Sequence, residues 1–274
     1  MIIIYLFISY LNMNLNFILY QLVLPFILSS IIVVVIMHIA EKYGTKLGGI
    51  LGTLPSTIVI ALLFLAINKD IYFASKAAEV IPAELGVNIL FLVVFAFIVH
   101  RSLILAFIIS LSIWTILSVL IIIINLNNIY FSGIIYILTL IIALLILNKK
   151  KIESIKNVKV HYNKKKIVTR GMIAGLVISI AIILSNIGAI FSGIFSVFPA
   201  IIISTMIISY REYGPNFTSG LAKSMIIGIS SVAVYASSVH FLYPTYNIII
   251  GSILSYIASL SVTFLILSIR NMIK

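Results

Sequence analysis

Long apolar runs, broken by short polar or turn-forming segments, fill the chain from residue 17 to residue 269. A helix that crosses a membrane needs about 20 mostly apolar residues, so this pattern predicts membrane-spanning helices. We expect nine of them within a single membrane domain, 1–274. The predicted spans are 17–40, 47–67, 77–99, 102–124, 129–147, 168–185, 189–210, 219–242 and 246–269. A start of translation at Met13 instead of Met1 fits the same pattern.

Composition strengthens this prediction. Hydrophobic residues make up 63% of the chain and charged residues only 9%, whereas a soluble globular protein has about 25% charged residues. The interpretation is an all-α, polytopic helix bundle of the cell membrane, with the lipid bilayer as its solvent. The sequence has no cysteine, which excludes disulfides and Cys-ligated metal centres. No cofactor or metal is expected, because the four histidines lack the spacing of a metal-binding pair: His38, His100, His161 and His240.

The formal net charge is +12, which raises the question of nucleic-acid binding. The distribution of the charge argues against it, because nine of the 18 basic residues lie between Lys149 and Arg170. Flanked by apolar runs, this segment is typical of a cytoplasmic loop under the positive-inside rule. Contact between Lys149–Arg170 and anionic lipid head groups is a second role open to it.

Basic residues alternate between successive loops. The loops after the first, third, fifth and seventh spans contain Lys or Arg, and those after the fourth, sixth and eighth contain none. The loop after the second span, with Lys69 and Lys76, is the exception. This alternation predicts an amino terminus outside the cell and a carboxyl terminus in the cytoplasm.

The chain also contains an internal repeat. Residues 44–97 align without a gap on residues 188–241, with a shared Gly-x-x-x-x-Gly-Ile-x-x-x-x-Pro-x-x-Ile skeleton. The offset equals five predicted spans, and an odd number of spans reverses the direction of the chain through the membrane. We therefore expect two inverted-topology repeats of four helices. Their ranges are 17–124 and 168–269, joined by a linking helix, 129–147, and the basic loop 148–167.

Each repeat has a proline in the middle of its second helix, Pro55 in the first and Pro199 in the second. Proline removes a backbone donor and frees a carbonyl, which hydrocarbon tolerates only where protein or a wet cavity covers it. Neighbouring hydroxyls are candidates to bond the freed groups: Thr53, Ser56, Thr57, Ser196 and Ser204. Half-helix ends at this depth can present partial charges to a bound solute. A plain proline kink with glycines for close packing is the alternative.

Glu84 is an acidic residue inside an apolar span, and Asn88 lies one turn further on the same helix face. An ionisable group at that depth is rare, costly and functional by default. Three roles are open: a proton- or cation-coupling site, a contact to a polar substrate, or a structural pair with Lys76 or another helix. Ser230 lies on a polar stripe of the eighth span, where interhelical hydrogen bonds explain the serines equally well.

The two inverted halves resemble transporters of the drug/metabolite type, which have about ten helices in two halves of five. This chain is one helix short of that pattern. The segment Gly48–Pro55 is also similar to Gly-Gly-x-x-Ala-Gly-x-Pro-like segments of uncharacterised polytopic membrane proteins. The resemblance implies secondary transport of a small solute by alternating access, and it supplies no substrate, coupling ion or oligomeric state.

Two other classes remain for comparison. A non-catalytic membrane subunit that docks a partner through the basic loop is the main alternative. An enzyme is not expected, because the six acidic residues lack the spacing of a metal–diphosphate motif and neither Gly-x-Ser-x-Gly nor His-Glu-x-x-His occurs. The lack of a Gly-x-x-x-x-Gly-Lys-Ser/Thr loop excludes ATP-driven transport by this chain alone.

Overall fold

The computed structural model describes residues 19–35, 55–150, 152 and 164–272. All regular structure in these ranges is helical and none of it is strand, which confirms the predicted all-α class. The first six helices are α1 (19–35, opening with the π-helical turn Leu19–Val23), α2 (Ser56–Asn68), α3 (Ile71–Ile98), α4 (Leu103–Ile123), α5 (Ile129–Lys149) and α6 (Lys164–Ile183, continued by the 3₁₀ turn Leu184–Asn186).

Side-chain caps set the starts of three consecutive helices. Asp70 accepts a hydrogen bond from the Phe73 amide at 2.7 Å, and α3 therefore begins six residues before the predicted span 77–99. Ser102 caps α4 and Asn128 caps α5 in the same way. These caps satisfy amide donors that the first helical turn leaves open, and they allow connections of only a few residues.

The carboxyl-terminal third is helical with three interruptions. A short helix, α7 (Ala189–Ser196), is separated by 197–199 from the helical run Ala200–Met272. Gly214 and Asn247, with φ of 77° and 75°, leave the helical conformation within that run. They divide it into α8 (200–213), α9 (215–246) and α10 (248–272). Asn247 restarts the helix itself, because its side-chain oxygen accepts from the amides of Ile249 and Ile250.

Five helical stretches of the described residues are long and apolar enough to cross a membrane. They are Ile71–Ile98, Leu103–Ile123, Ile129–Lys149, Lys165–Asn186 and Ala189–Leu265, and the last contains the three interruptions. Two shorter apolar helices, Gln21–Val35 and Ser56–Asn68, lie beside residues 36–54, which are outside the described ranges. The first eight residues of the predicted span 47–67, including Thr53, therefore have no described counterpart.

The bundle is polar in parts of its interior and apolar on its surface. Helix α3 lies at the centre and is buried along most of its length, whereas α4 and α5 are outer helices. Ile104, Ile123 and Ile249 expose 70%, 73% and 71% of their surface, while Glu84 and several serines are fully buried. Soluble monomers rarely expose contiguous apolar surface of this kind. These features fit a membrane-embedded protein.

Helices α1 and α6 pack closely and antiparallel. Small residues four apart on α6 face backbone carbonyls of α1 in reverse order: Gly171 faces Ser30, Gly175 faces Phe26, and Ser179 donates to Leu22 at 3.0 Å. A Cβ atom at Gly171 would lie 2.7 Å from the Ser30 carbonyl oxygen. Small residues at fixed spacing are the usual means by which membrane helices bring their backbones together.

Contacts between connecting segments define two ends of the bundle. At one, the Asn186 end, Lys69 donates to Asn186 at 2.8 Å and the ring of Tyr130 lies 6.4 Å from that of Phe241. At the other, the basic end, Lys166 pairs with Glu212. Lys69, the exception in the predicted charge alternation, therefore lies among the connections that carry few basic residues.

Candidate functional site

Glu84 lies midway along α3, and its side chain is fully buried. One carboxyl oxygen, Oε1, accepts a hydrogen bond from the Ser118 hydroxyl of α4 at 2.7 Å. Ser110, Trp114 and Ser118 are spaced by four residues and are all buried, so they form one face of α4 that packs on α3. The structural partner of Glu84 is therefore α4, a helix to which the sequence analysis assigned no site residue.

Asn88 lies one turn further along α3 and joins the interrupted helix. Its side-chain amide donates to the backbone carbonyl of Val197 at 2.8 Å. Val197 lies in the three-residue gap between α7 and α8, immediately before Phe198 and Pro199. The interruption predicted at Pro199 is therefore present. The break leaves the Val197 carbonyl without a donor from its own helix, and the side-chain amide of Asn88 supplies that hydrogen bond.

The hydroxyls expected to bond the freed backbone make hydrogen bonds within their own helices. Ser196 donates to the carbonyl of Gly193 at 2.6 Å, and Ser204 donates to that of Ile201 at 3.0 Å. Both bonds stay within the residue's own helical turn, as serines in helices commonly do. Ser196 thus satisfies a carbonyl in the last turn of α7, whereas Ser204 bonds within α8 and the Val197 carbonyl at the break is bonded by Asn88 from another helix.

Aromatic rings and one glycine hold the gap against α3 and α4. The rings of Trp114 and Phe198 meet edge to face, with centroids 5.0 Å apart. A Cβ atom at Gly193 would collide with the carbonyl oxygen of Ala77 and with the side chain of Val80. Helix α7 can approach α3 this closely only with glycine at that position, so the repeated Gly-Pro skeleton has a steric role in the second unit.

Four buried polar atoms on α3 and α4 have no hydrogen-bond partner among the described residues. They are Oε2 of Glu84, Oδ1 of Asn88, Oγ of Ser110 and Nε1 of Trp114. The Trp114 indole lies beside the carboxyl group of Glu84, but its N–H makes no hydrogen bond of normal geometry. We name Glu84, Asn88, Trp114, Ser118 and the gap 197–199 the Glu84 cluster.

The open atoms define what the cluster can bind. An unsatisfied buried polar group costs about 1–3 kcal/mol, and a buried unpaired charge costs more. Within the described ranges no cationic side chain forms an ion pair with Glu84. The carboxyl therefore needs a proton, a cation or a polar ligand. Two open atoms one turn apart, Oε2 of Glu84 and Oδ1 of Asn88, are oxygens, the ligand type that hard cations prefer.

Other predicted site residues lie elsewhere. Pro55 is buried and immediately precedes α2, and Ser56 and Thr57 open that helix, half-buried. In the described part of the chain neither hydroxyl is hydrogen-bonded to the Glu84 cluster. Ser230 accepts from the hydroxyl of Tyr136 at 2.8 Å, between α9 and α5. Ser230 therefore belongs to a separate contact between these two helices.

The charged residues near the start of α3 form their own group. Lys76 is exposed and does not pair with Glu84. Glu79 lies 3.7 Å from Nδ1 of His240, and the Ser75 hydroxyl donates to the His240 carbonyl at 2.8 Å. These contacts join α3 to α9 at the Asn186 end. The sequence did not predict the pairing of Glu79 with His240.

Sequence reasoning missed Ser110, Trp114, Ser118 and Phe198. A signal was present, because Ser110, Trp114 and Ser118 are polar or amphipathic residues at i, i+4 and i+8 in an otherwise apolar span. Trp114 is also the single tryptophan of the chain. Compared with known proteins, the chain matches no family model, no curated protein and no solved structure, so its function has to be argued from the chemistry of the Glu84 cluster.

Proposed function

We propose that the protein is a secondary transporter that moves a small solute by alternating access, with the Glu84 cluster as its proton- or cation-coupling site. It would cross the cell membrane nine times, as two inverted units of four helices joined by α5. The amino terminus would lie outside and the basic end in the cytoplasm. The observation that carries the proposal is a buried carboxyl with an open oxygen, midway along the central helix and beside an interrupted helix.

Two helix pairings support the inverted repeat. Helices α1 and α6, which are equivalent in the two units, pack antiparallel through Gly171 and Ser30, as inversion requires. The second pairing concerns α3–α4 and α9–α10. Glu84 of α3 bonds Ser118 of α4, and the offset of 144 takes these residues to positions 228 and 262. Near those positions, the hydroxyl of Ser259 on α10 donates to the carbonyl of Ser231 on α9 at 2.8 Å. Each of these residues lies three positions, about one turn, from the equivalent site.

The chemistry of the cluster suits coupling. In an apolar interior, no water solvates the charge of a carboxylate. The free energy of the site therefore changes sharply when the carboxyl gains or loses a proton or a cation. Asn88 lies one turn away and holds the Val197 carbonyl. A change of charge at Glu84 can therefore be transmitted to the gap 197–199 through one helix turn.

The gap is the natural moving part. Residues 197–199 are not helical, and the amides of Val197 and Phe198 make only i→i−3 bonds of 3.3 and 3.2 Å, so rotation there disrupts fewer and weaker hydrogen bonds than within a helix. Rotation there would tilt α7 relative to α8 while α3 stays in place. The 2.8 Å hydrogen bond between Asn88 and Val197 would then be the first contact to break.

A hydrophobic carbodiimide gives a test that needs no knowledge of the solute, since it reacts with protonated carboxyls buried in membranes. The full chain in liposomes is treated with dicyclohexylcarbodiimide, and adducts on Glu84 and on the exposed Glu212 are quantified by mass spectrometry. We expect labelling at Glu84 that falls as pH rises and is blocked by Na⁺ or by the coupling cation. Glu212 provides the control for general carboxyl reactivity.

A second arm screens small solutes for thermal stabilisation of the parent chain and of Glu84→Gln. Solute binding that depends on pH or Na⁺ in the parent, and is uncoupled in the variant, supports the proposal. If no cation protects Glu84 and no solute stabilises the parent, the Glu84–Ser118 bond is a structural link between helices. The scaffold function would then be the better description.

A further inference from the structure

Three polar residues join α3 to α9 at the Asn186 end: Ser75, Glu79 and His240. The ring nitrogen Nδ1 of His240 faces three oxygens of α3. It lies 3.2 Å from the Ser75 hydroxyl oxygen, 3.2 Å from the Ser75 carbonyl oxygen and 3.7 Å from Oε1 of Glu79. We name these three residues the His240 contact. Ser75 and His240 are 165 positions apart in the sequence, so the contact forms only when the two helices assemble.

Hydrogen bonding determines which nitrogen of the histidine ring carries a hydrogen. The Ser75 hydroxyl donates its only proton to the His240 carbonyl at 2.8 Å, so its oxygen can only accept from Nδ1. The Ser75 carbonyl and an ionised Glu79 also only accept. Nδ1 therefore carries a hydrogen, and the neutral ring has its lone pair on Nε2. A proton taken up at low pH goes to Nε2, which makes the ring cationic without changing what Nδ1 contacts.

The carboxyl group of Glu79 is short of partners. Its Oε2 is buried and makes no hydrogen bond within the described residues, and its Oε1 faces His240. The side chains of His240 and Glu79 expose 20% and 15% of their surface. Water and salt screen a pair this enclosed less than a pair on an open surface, yet protons still reach it. A cationic His240 therefore attracts Glu79, and a neutral His240 loses that attraction.

Other ionisable groups surround the contact but keep their charge over the same pH range. Among the described residues of this end they are Lys69, Asp70 and Lys76 beside α3, Tyr130 on α5 and Tyr243 on α9. Lys69 donates to Asn186, and Asp70 caps α3. Lys76 is exposed and also acts on Glu79. Between about pH 5 and pH 8, lysines stay cationic and tyrosines stay neutral, so the charge that changes at this contact is that of the histidine.

We propose that the His240 contact is a pH-sensitive clamp between α3 and α9, closed when His240 is protonated and loosened when it is neutral. Histidine is the side chain that ordinarily changes charge between about pH 5 and pH 8. The ion pair with Glu79 is therefore present toward the acid end of this range and is lost as pH rises, when only the hydrogen bonds with Ser75 remain. The clamp itself does not depend on transport. That it joins the two inverted units and responds to pH outside the cell rests on the proposed function.

The first test is a double-mutant cycle, measured by thermal unfolding of the purified full chain in neutral detergent. It compares the parent, His240→Asn, Glu79→Gln and the double variant at about pH 5.5 and about pH 8. Asparagine offers an amide donor in place of Nδ1, so it can keep the bond to Ser75 while removing the titration. Glu84 is the same in all four proteins, so its own titration cancels from the cycle. His100→Asn, at an exposed position just beyond the far end of α3, is the control.

We expect the two substitutions to be coupled by about 1–3 °C in Tm at about pH 5.5, the size of a partly exposed ion pair in a chain of this length. At about pH 8 the coupling should fall to nearly zero. His100→Asn should leave the difference in Tm between the two pH values as it is in the parent. A coupling of equal size at both pH values would show a structural contact without a switch and would end the proposal. No coupling at either pH would end it as well.

A second measurement follows the distance between the two helices. The chain contains no cysteine, so spin labels can be attached at Tyr72→Cys on α3 and Thr245→Cys on α9, both at exposed positions. The distance distribution should be narrow at about pH 5.5 and longer or broader at about pH 8. In the His240→Asn background it should no longer depend on pH. An unchanged distribution in the parent, or a pH-dependent change that persists in that background, would overturn the clamp.

Discussion

The side-chain amide of Asn88 donates to the backbone carbonyl of Val197 at 2.8 Å, across 109 positions of sequence. This bond joins the central helix α3 to residues 197–199. In the described part of the chain, they are the only non-helical segment that lies beside Glu84. The side-chain oxygen of Asn88, Oδ1, has no hydrogen-bond partner among the described residues. The same side chain thus supports the interruption and presents an acceptor next to the candidate site.

Replacing Asn88 with leucine removes the donor and leaves the Val197 carbonyl unsatisfied. We expect a loss of about 1–3 kcal/mol in the free energy of unfolding, the usual cost of a buried carbonyl without a partner. Thermal or denaturant unfolding in detergent measures it. Ser204→Ala is the matched control beyond the same interruption, because its bond to Ile201 lies within one turn of α8 and its loss should cost less than Asn88→Leu. Equal effects in the two variants would contradict the role given to Asn88.

Glu84→Gln separates charge from shape. Glutamine keeps an oxygen that accepts the Ser118 hydroxyl, so the folded protein should persist in the membrane. It cannot exchange a proton or balance a cation, and we expect uptake into proteoliposomes of a solute found in the stabilisation screen to fall to background. Uptake at the parent rate would remove Glu84 from the mechanism.

Ser118→Ala tests the support of Glu84 without changing its charge. The variant leaves both carboxyl oxygens short of a donor, which should destabilise the protein by about 1–3 kcal/mol. Carbodiimide labelling at Glu84 should also shift in its dependence on pH, since one contact to the carboxyl is lost. Ser112→Ala, at an exposed position of the same helix, is the control and should behave like the parent.

Gly193→Ala tests the close approach of α7 to α3. The added Cβ would collide with the Ala77 carbonyl oxygen, and such overpacking costs about 1–3 kcal/mol. Gly133→Ala, in α5, meets nothing within 4 Å and should be neutral or stabilising by up to about 1 kcal/mol, because alanine favours helix. Tm measurements on both variants decide the point. A silent Gly193→Ala would mean that the two helices are not held at this distance.

The absence of cysteine makes the inverted repeat directly testable. Single cysteines at Gly44 and Gly188, the equivalent first glycines of the two units, are labelled with a membrane-impermeant maleimide from each side of the bilayer. We expect labelling from opposite sides, with Gly188 accessible from outside. Labelling of both from one side would end the alternating-access proposal and leave a packing scaffold.

Much of the local structure was predictable because it depends on near neighbours in the sequence. Apolar run length predicted where α4 and α5 lie to within two residues, and Pro199 predicted the gap after α7. Glu84 and Asn88 were placed on one face by helical periodicity alone. Their partners were not, since the rotation of one membrane helix against another depends on packing that no single span encodes. Ser118 and Tyr136 are found only when the helices are assembled.

Helix α3 contacts α2, α4, α5, α7 and the helices after Pro199. The described part of the bundle therefore cannot separate into two halves without removing α3 from many of the helices that it contacts. The amides of α3 should be the slowest in the protein to exchange with deuterium, and those of Val197 and Phe198 among the faster ones. In a transport cycle built on this architecture, the surrounding helices would move about a stationary α3, and Glu84 would keep its position on that helix.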